Sequence, residues 1–295
     1  MSFCEWKEIR AQRVLSPTQI SLADAVINPY RGCQFDCVYC YARKAHSAGS
    51  RRACVEAKIN APELLTRELR MRRPRRVLLG STTECFQYAE ARFRLTEKIL
   101  KILDRYGIPV TILTKSHLIR SCLPLLSRNR ENRIFFTFNL SSNHHIRALE
   151  GASPHLHHRI DTLAEILRFG ISLRVHAGPF FPFLSSLDTI LRLLPKGVKE
   201  IDVELYHPIQ GNFLQVGERI EQIRERAAAQ KMKEIYAAKH RYDSFAADQA
   251  VRMRALNRRT GLRLYLIVPE FRRFYDRSLT YQNPLAGGLP GDTPG

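Results

Sequence analysis

Asn28-Pro-Tyr-Arg-Gly-Cys33-Gln-Phe-Asp-Cys37-Val-Tyr-Cys40-Tyr41 sets three cysteines at CxxxCxxC spacing in a tight loop led by Gly32. Gly32 can take a positive φ to begin the loop, and the short spacers let three sulfurs converge on one face of an iron–sulfur cubane. Three thiolates leave one iron of such a cubane open. An open position separates the motif from a structural zinc or an electron-carrying cluster, each of which wants four protein ligands. Taken alone, the cysteines also fit a zinc site completed by a distant histidine, or three unrelated buried thiols in a reducing compartment.

The rest of the chain bounds these readings. With 295 residues, 44% of them hydrophobic, it can bury a sizeable core, and its length suits one large α/β domain carrying a C-terminal extension. No stretch is long and apolar enough for a membrane span, and Met1 to Arg13 is too polar for a secretory signal, so a cytoplasmic protein is expected. The seven cysteines are an odd number, and the four outside the motif (Cys4, Cys54, Cys85, Cys122) are scattered. That excludes a disulfide framework and fits a reduced compartment. There is no second CxxC pair to hold an auxiliary cluster.

Charge is the other unusual bulk property. Lys plus Arg number 47 against 28 Asp plus Glu, a formal net charge of +19, which favours a polyanionic partner such as nucleic acid. The basic residues bunch from Arg67 through Arg70, Arg72, Arg73, Arg75 and Arg76, and again from Arg252 to Arg273. Solvated helix faces would produce the same bunching.

After the cysteine loop, strand-like apolar runs alternate with amphipathic helices. Residues 77–80, 110–114, 134–138, 172–176 and 201–205 read as strands, and 62–71, 95–106, 118–127, 160–169 and 187–194 read as helices between them. Asn60 is placed to cap the first helix, and Gly107 and Gly170 sit where helices should end. With the strand 25–28 entering the cysteine loop, this makes six β/α units, a parallel sheet with helices outside. Beyond His207, helices at 218–229 and 242–260 and a strand at 264–268 form an extension. The expected organisation is an N-terminal segment (1–20), an α/β partial barrel (21–210), a C-terminal helical extension (211–282) and a disordered tail (283–295) whose Gly and Pro content cannot order itself.

At this point a family resemblance enters. CxxxCxxC with an aromatic, Tyr39, before the last cysteine resembles the cluster loop of the radical S-adenosylmethionine (SAM) enzymes, and the string from Ile27 to Arg43 resembles their spore-photoproduct-lyase-like branch. The resemblance implies a partial (β/α)6 barrel with a lateral opening. It also implies a 4Fe-4S cluster on Cys33, Cys37 and Cys40, with SAM completing the fourth iron through its amino and carboxylate groups. A reducing partner such as flavodoxin or ferredoxin would supply one electron, and SAM cleavage would yield a 5′-deoxyadenosyl radical. The protein's own task would be to position the reacting carbon and exclude water.

In α/β barrels chemistry gathers at the C-terminal ends of strands. After the second strand, Thr83-Glu-Cys-Phe-Gln87 resembles a Thr-Asp-Pro-Tyr-Gln element of the branch, so Ser81 and Thr83 become candidates to bond the methionyl end of SAM. Lys115, in Thr114-Lys115-Ser116, resembles a lysine that pairs with the SAM carboxylate. By the same resemblance Tyr39 and Tyr41 pack on the adenosyl end, Thr137 offers a hydroxyl, Glu150 and Arg159 form a polar wall, and Pro179-Phe-Phe-Pro182 borders SAM. His176 faces either the barrel interior or a satisfied core. The histidines at 144, 145, 155, 157 and 158 suit no single compact metal site.

One residue departs from the branch. Spore photoproduct lyases carry a hydrogen-donating cysteine where this chain has Ser81, whose O–H bond is too strong to quench a carbon radical. Cys85, in the same loop, is the remaining candidate donor. Three readings follow: a radical SAM enzyme on an unidentified, nucleic-acid-like substrate; repair of DNA photodamage; and a non-catalytic metal-bearing module that binds nucleic acid.

Overall fold

The computed structural model describes residues 6–42, 54–181, 183–208 and 212–271, arranged as two compact units. The expected tail 283–295, Arg272, Arg273, Cys4, Arg43 and Pro182 lie outside the described residues.

The first unit takes residues 1–36, 42–136 and 152–173. Its strands are β1 (Trp6–Ile9), β2 (Ser16–Pro17), β3 (Ala25–Ile27), β4 (Tyr30–Arg31), β5 (Val55–Lys58), β6 (Val77–Leu79), β7 (Val110–Thr114) and β8 (Arg133–Thr137), whose last residue falls in the second unit. β3, β6, β7 and β8 run parallel in that order, with Ile27 beside Leu79, Leu79 beside Ile112 and Thr114 beside Phe136. The short β2 closes the β3 edge antiparallel. Val77, Leu78 and Leu79 are all fully buried, as expected of a parallel strand covered on both faces. A small second sheet pairs β1 parallel and β4 antiparallel with β5.

The second unit takes residues 37–41, 137–151 and 174–295. In it β9 (Ser172–Phe180), whose first two residues fall in the first unit, β10 (Glu200–Leu205) and β11 (Arg263–Ile267) are parallel neighbours. The six expected strands are therefore present, and the strand expected at 264–268 is β11, paired with β10. Among the described residues no helix is long and apolar enough to cross a membrane.

Four expectations need correction. Asn60 stands at the start of the helix Ala61–Met71 but does not cap it; its amide instead receives Ala11 N–H at 2.8 Å and donates to Ala11 O at 2.9 Å, tying down the N-terminal segment. That segment carries β1, missed because its four residues, Trp-Lys-Glu-Ile, show no buried alternation. The helix expected at 118–127 is a 3-10 turn, His117–Cys122, followed by the short helix Leu123–Leu126, because Pro124 supplies no backbone donor. The helix expected at 218–229 is two, Asn212–Gln222 and Arg226–Tyr236, broken where Arg224 turns to φ 67°. No Gly or Pro marks that break.

Candidate active site

The entry to the cysteine loop, residues 28–34, is stitched to the segment that follows β6. Asn28 donates to Ser81 Oγ at 3.1 Å and receives Thr82 N–H at 3.2 Å. Tyr30 donates its hydroxyl to the buried Glu90, whose carboxylate also takes the first free N–H groups of the helix Leu95–Arg105, from Thr96 and Glu97, each at 3.0 Å. Gly32 O receives the Thr83 hydroxyl at 2.5 Å and the Gln87 amide at 3.3 Å. Gln87 accepts Gln34 N–H at 2.9 Å, and Gln34 in turn accepts Ala89 N–H at 2.7 Å. These bonds satisfy backbone groups that a loop would otherwise leave unpaired, and so fix its path.

Gly32 is the steric key. Its φ is +83°, and a Cβ there would lie 2.2 Å from Cys54 O. Beyond it, Cys40 N–H closes a turn onto Cys37 O at 3.0 Å. Cys37 is buried, while Cys33 and Cys40 are half-buried, and none of the three is in a disulfide.

Lys115, at the C-terminal end of β7, is positioned through the buried Glu84. One Glu84 oxygen takes the Thr114 hydroxyl at 2.7 Å and Phe86 N–H at 2.9 Å; the other takes Lys115 N–H at 3.0 Å. Burial pushes the Glu84 carboxyl above its usual range, and these donors oppose that shift. The strand ends of β6 and β7 are thereby held in one register, with Ser81, Thr83 and Lys115 all in the first unit.

In the second unit Tyr39 is the hub. Its hydroxyl donates to the buried Glu150, its carbonyl receives Asn212 Nδ2 at 2.7 Å, and its ring lies 5.8 Å from that of Phe181. Asn139, two residues past the end of β8, donates to Pro179 O at 3.1 Å, and its own Oδ1 is buried with no protein partner. Thr137 and Tyr41 are half-buried in the same unit.

The Radical SAM superfamily profile matches residues 27–193, more than half of the chain. The chain belongs to the radical SAM superfamily. It is 30% identical over 187 residues to an uncharacterized protein of Methanocaldococcus jannaschii, covering 62% of this chain and 71% of that one. A second relative, an uncharacterized protein of Mycobacterium tuberculosis, is 31% identical over 170 residues, and there the match spans only half of the relative's length. Among solved structures, a spore photoproduct lyase variant superimposes with TM-score 0.57 at 15% identity, covering 74% of this chain and 66% of the lyase. Another, with bound AdoMet and dinucleoside spore photoproduct, gives 0.56 at 15% identity over 73% and 66%. These matches give the fold: mixed α/β with a mostly parallel sheet, as in radical SAM enzymes.

The donor set fits the cofactors that the superfamily implies. The thiols of Cys33, Cys37 and Cys40, all outside disulfides, can each ligate an iron. Among the described residues no three His, Cys, Asp or Glu side chains could share a single metal ion. A cubane spreads its thiolates over three irons, so that finding does not bear on it.

Other radical SAM candidates resolve differently. Arg159 is fully buried in the first unit, donating to Pro154 O at 3.0 Å and Ser153 Oγ at 2.7 Å. His117, His157 and His158 stack in the first unit, with 4.8 Å between the rings of His117 and His158, whereas His145 pairs with Glu225 at 3.3 Å in the second. Cys85 is fully buried, and burial drives its thiol well above the usual range; nearby carboxylates and Cys33 add to that shift.

The sequence reading also passed over a polar face on β9 and β10. His176 Nε2 meets Glu204 at 3.2 Å, and Arg174 bridges Glu200 at 2.6 Å and Asp202 at 3.3 Å. His176 and Asp202 are cross-strand partners in register, and His176 Nδ1 and Asp202 Oδ2 are both buried without a protein partner. Burial, against the pull of Arg174, raises the Asp202 carboxyl. The alternation of charged residues at 174 and 176 with 200, 202 and 204 is a period-two signal that marks this face in the sequence.

His176 reaches Glu204 across Gly178, where a Cβ would lie 2.2 Å from His176 Nε2. Gly178→Ala should therefore displace the ring and break the His176–Glu204 pair. The expected cost is about 0.5–1.5 kcal/mol for an off-rotamer ring, read in urea melts, with a changed histidine side-chain 15N spectrum. An unchanged His176 resonance would show that the ring does not occupy this position.

Proposed function

We propose that this chain uses a 4Fe-4S cluster on Cys33, Cys37 and Cys40 and SAM to start radical chemistry on a substrate held at the C-terminal ends of its strands. When bound, the cluster supplies the one-electron reduction that cleaves SAM to a 5′-deoxyadenosyl radical. The observation that carries the reading is three thiols outside any disulfide on a loop whose entry, residues 28–34, is braced to the β6 segment.

The chain's own residues hold the cofactor and the substrate. Lys115, set by Glu84, pairs with the SAM carboxylate, and Ser81 and Thr83, whose hydroxyls brace the loop, stand beside its methionyl end. Tyr39, Tyr41 and Thr137 face the adenosyl end. On the polar face, Glu204 orients the His176 imidazole through Nε2. The substrate is a nucleic acid or another anionic macromolecule, in keeping with the +19 charge, and flavodoxin or ferredoxin supplies the electron.

Photoproduct repair is not carried over. By the resemblance Ser81 stands where the repair enzymes place their cysteine, and Cys85 has no exposed surface.

Anaerobic reconstitution with iron and sulfide, followed by dithionite and SAM, tests the proposal. Brown protein that releases 5′-deoxyadenosine is the expected result; a protein that takes up zinc alone and leaves SAM intact overturns it. Lys115→Ala should keep the cluster and weaken SAM binding by about 1.5–3 kcal/mol, the range for hydrogen bonds to charged groups. Unchanged affinity in an anaerobic titration would make Lys115 a structural residue.

A further inference from the structure

Three connections of the first unit, residues 70–76, 105–109 and 127–133, hold nine arginines, no lysine and a single carboxylate, Glu131. Each leads into the N-terminal end of a strand: β6, β7 and β8. Because these strands are parallel and in register, with Val77 beside Val110 and Thr111 beside Arg133, the connections meet along one edge. Arg72, Arg73, Arg75, Arg105, Arg130 and Arg133 are exposed there and make no ion pair with a described carboxylate.

The edge is built, not a chance bunching. Arg76 binds the connections together, donating to Glu131 O at 2.7 Å and Val110 O at 3.4 Å and facing the Glu131 carboxylate at 3.6 Å. Arg128 reaches Asp104 at 3.2 Å, and Arg73 stacks 5.1 Å over the Tyr106 ring. Asp24 fixes the first connection by accepting the N–H groups of Arg75 and Arg76 at 3.0 and 2.9 Å. Burial, and then the charge of Arg133, lowers the Arg76 pKa, as expected where cations are crowded.

We propose that this edge docks the phosphodiester backbone of a nucleic acid. Arginine's planar fork matches phosphate oxygens in pairs, which lysine cannot do. Tyr106 and the 87% exposed Met71 add apolar contact beside the charges, which an acidic protein surface does not require. The cysteine loop, Ser81, Thr83 and Lys115 all follow the opposite, C-terminal ends of β3, β6 and β7. Five residues of β7 put about 16 Å between the two ends. The polyanion is thus gripped at one end of the sheet while the chemistry occupies the other. This shares nucleic acid with the function proposed above but does not depend on SAM cleavage.

The test is fluorescence anisotropy of the full chain with a labelled DNA duplex of about 20 base pairs and its single strand, across about 50–200 mM salt. The triple variant Arg72→Glu, Arg75→Glu, Arg133→Glu should bind more than about tenfold more weakly, and its log K against log salt slope should shrink by about 0.9 per lost phosphate contact on duplex. Reversal of Arg252, Arg254 and Arg258 on the helix Lys239–Thr260 should change neither. An unchanged slope in the triple variant, loss of binding on reversing the helix arginines instead, or no binding by the wild type at low salt overturns the proposal. So does a triple variant that keeps DNA but loses an acidic flavodoxin, which would make the edge a protein dock. Reconstituted triple variant should release 5′-deoxyadenosine at the wild-type rate; a protein that binds DNA through this edge yet never cleaves SAM would sink the proposed function and leave the dock standing.

Discussion

Cys37→Ala should abolish the broad blue absorbance of the reconstituted protein and all SAM cleavage, and lower its iron from about four per chain to background. The substitution itself is mild. Cys37 is 8% exposed, and trading a buried thiol for a methyl group removes one small atom from the core, a cost on the order of 1 kcal/mol. A large functional loss with a nearly unchanged melting temperature therefore isolates ligation from folding. Cys122→Ala is the matched control, since that thiol is likewise buried and outside any disulfide but lies far along the chain from the motif. If Cys37→Ala retained a full cluster, or Cys122→Ala lost one, the ligand assignment would fail.

How much of this was legible in the sequence depends on the range of the interaction. The strands β6, β7 and β8 are mainly apolar runs with local periods, so sequence reading finds their ends to within a residue, whereas β9, with its charged face, runs four residues past the expected end at 176. The glycines expected to end helices do so, Gly107 at φ 66° and Gly170 at φ 67°. Roles that depend on a partner far along the chain were not legible. Asn60 has the chemistry of a cap, yet Ala11, 49 positions away, takes both ends of its amide. Glu84 occupies a recognisable motif position, but nothing local says that it will hold Thr114 and Lys115, about thirty residues on. The charge on β9 and β10 was visible as alternation; that Asp202 and His176 would stand side by side follows only from strand register.

The same logic explains why Thr83 and Ser81 turn out to be loop braces as well as candidate ligands. Under the proposed ligation, a loop that presents three thiolates to one cluster gains from having its entry shaped by the protein itself. The bonds from Asn28, Gly32 and Gln34 to residues 81–89 supply that shape with neutral donors and acceptors. Neutral bonds are insensitive to pH and salt, unlike the charged pairs elsewhere on the chain. A scaffold of this kind concentrates its vulnerability at positions where backbone meets backbone, since side-chain braces can yield by rotation and carbonyls cannot.

Gly32→Ala should therefore be the most disruptive single methyl group in the site. At φ +83° an alanine carries a backbone penalty of about 1–3 kcal/mol before any contact is counted. Its Cβ would also sit 2.2 Å from Cys54 O, and that carbonyl has little freedom because Val55, the next residue, is paired with Trp6 in the small sheet. Either the loop or the sheet must shift, and Gly32 O would leave Thr83 and Gln87. Gly107→Ala supplies the comparison: φ is +66° there, but nothing lies within 4 Å of the added Cβ. It should lose only the backbone term and load iron normally. Gly32→Ala should melt at a lower temperature than Gly107→Ala and incorporate little or no cluster, although all three cysteines remain. Equal melting temperatures and equal iron in the two variants would mean that the close approach to Cys54 does not set the path of the cysteine loop.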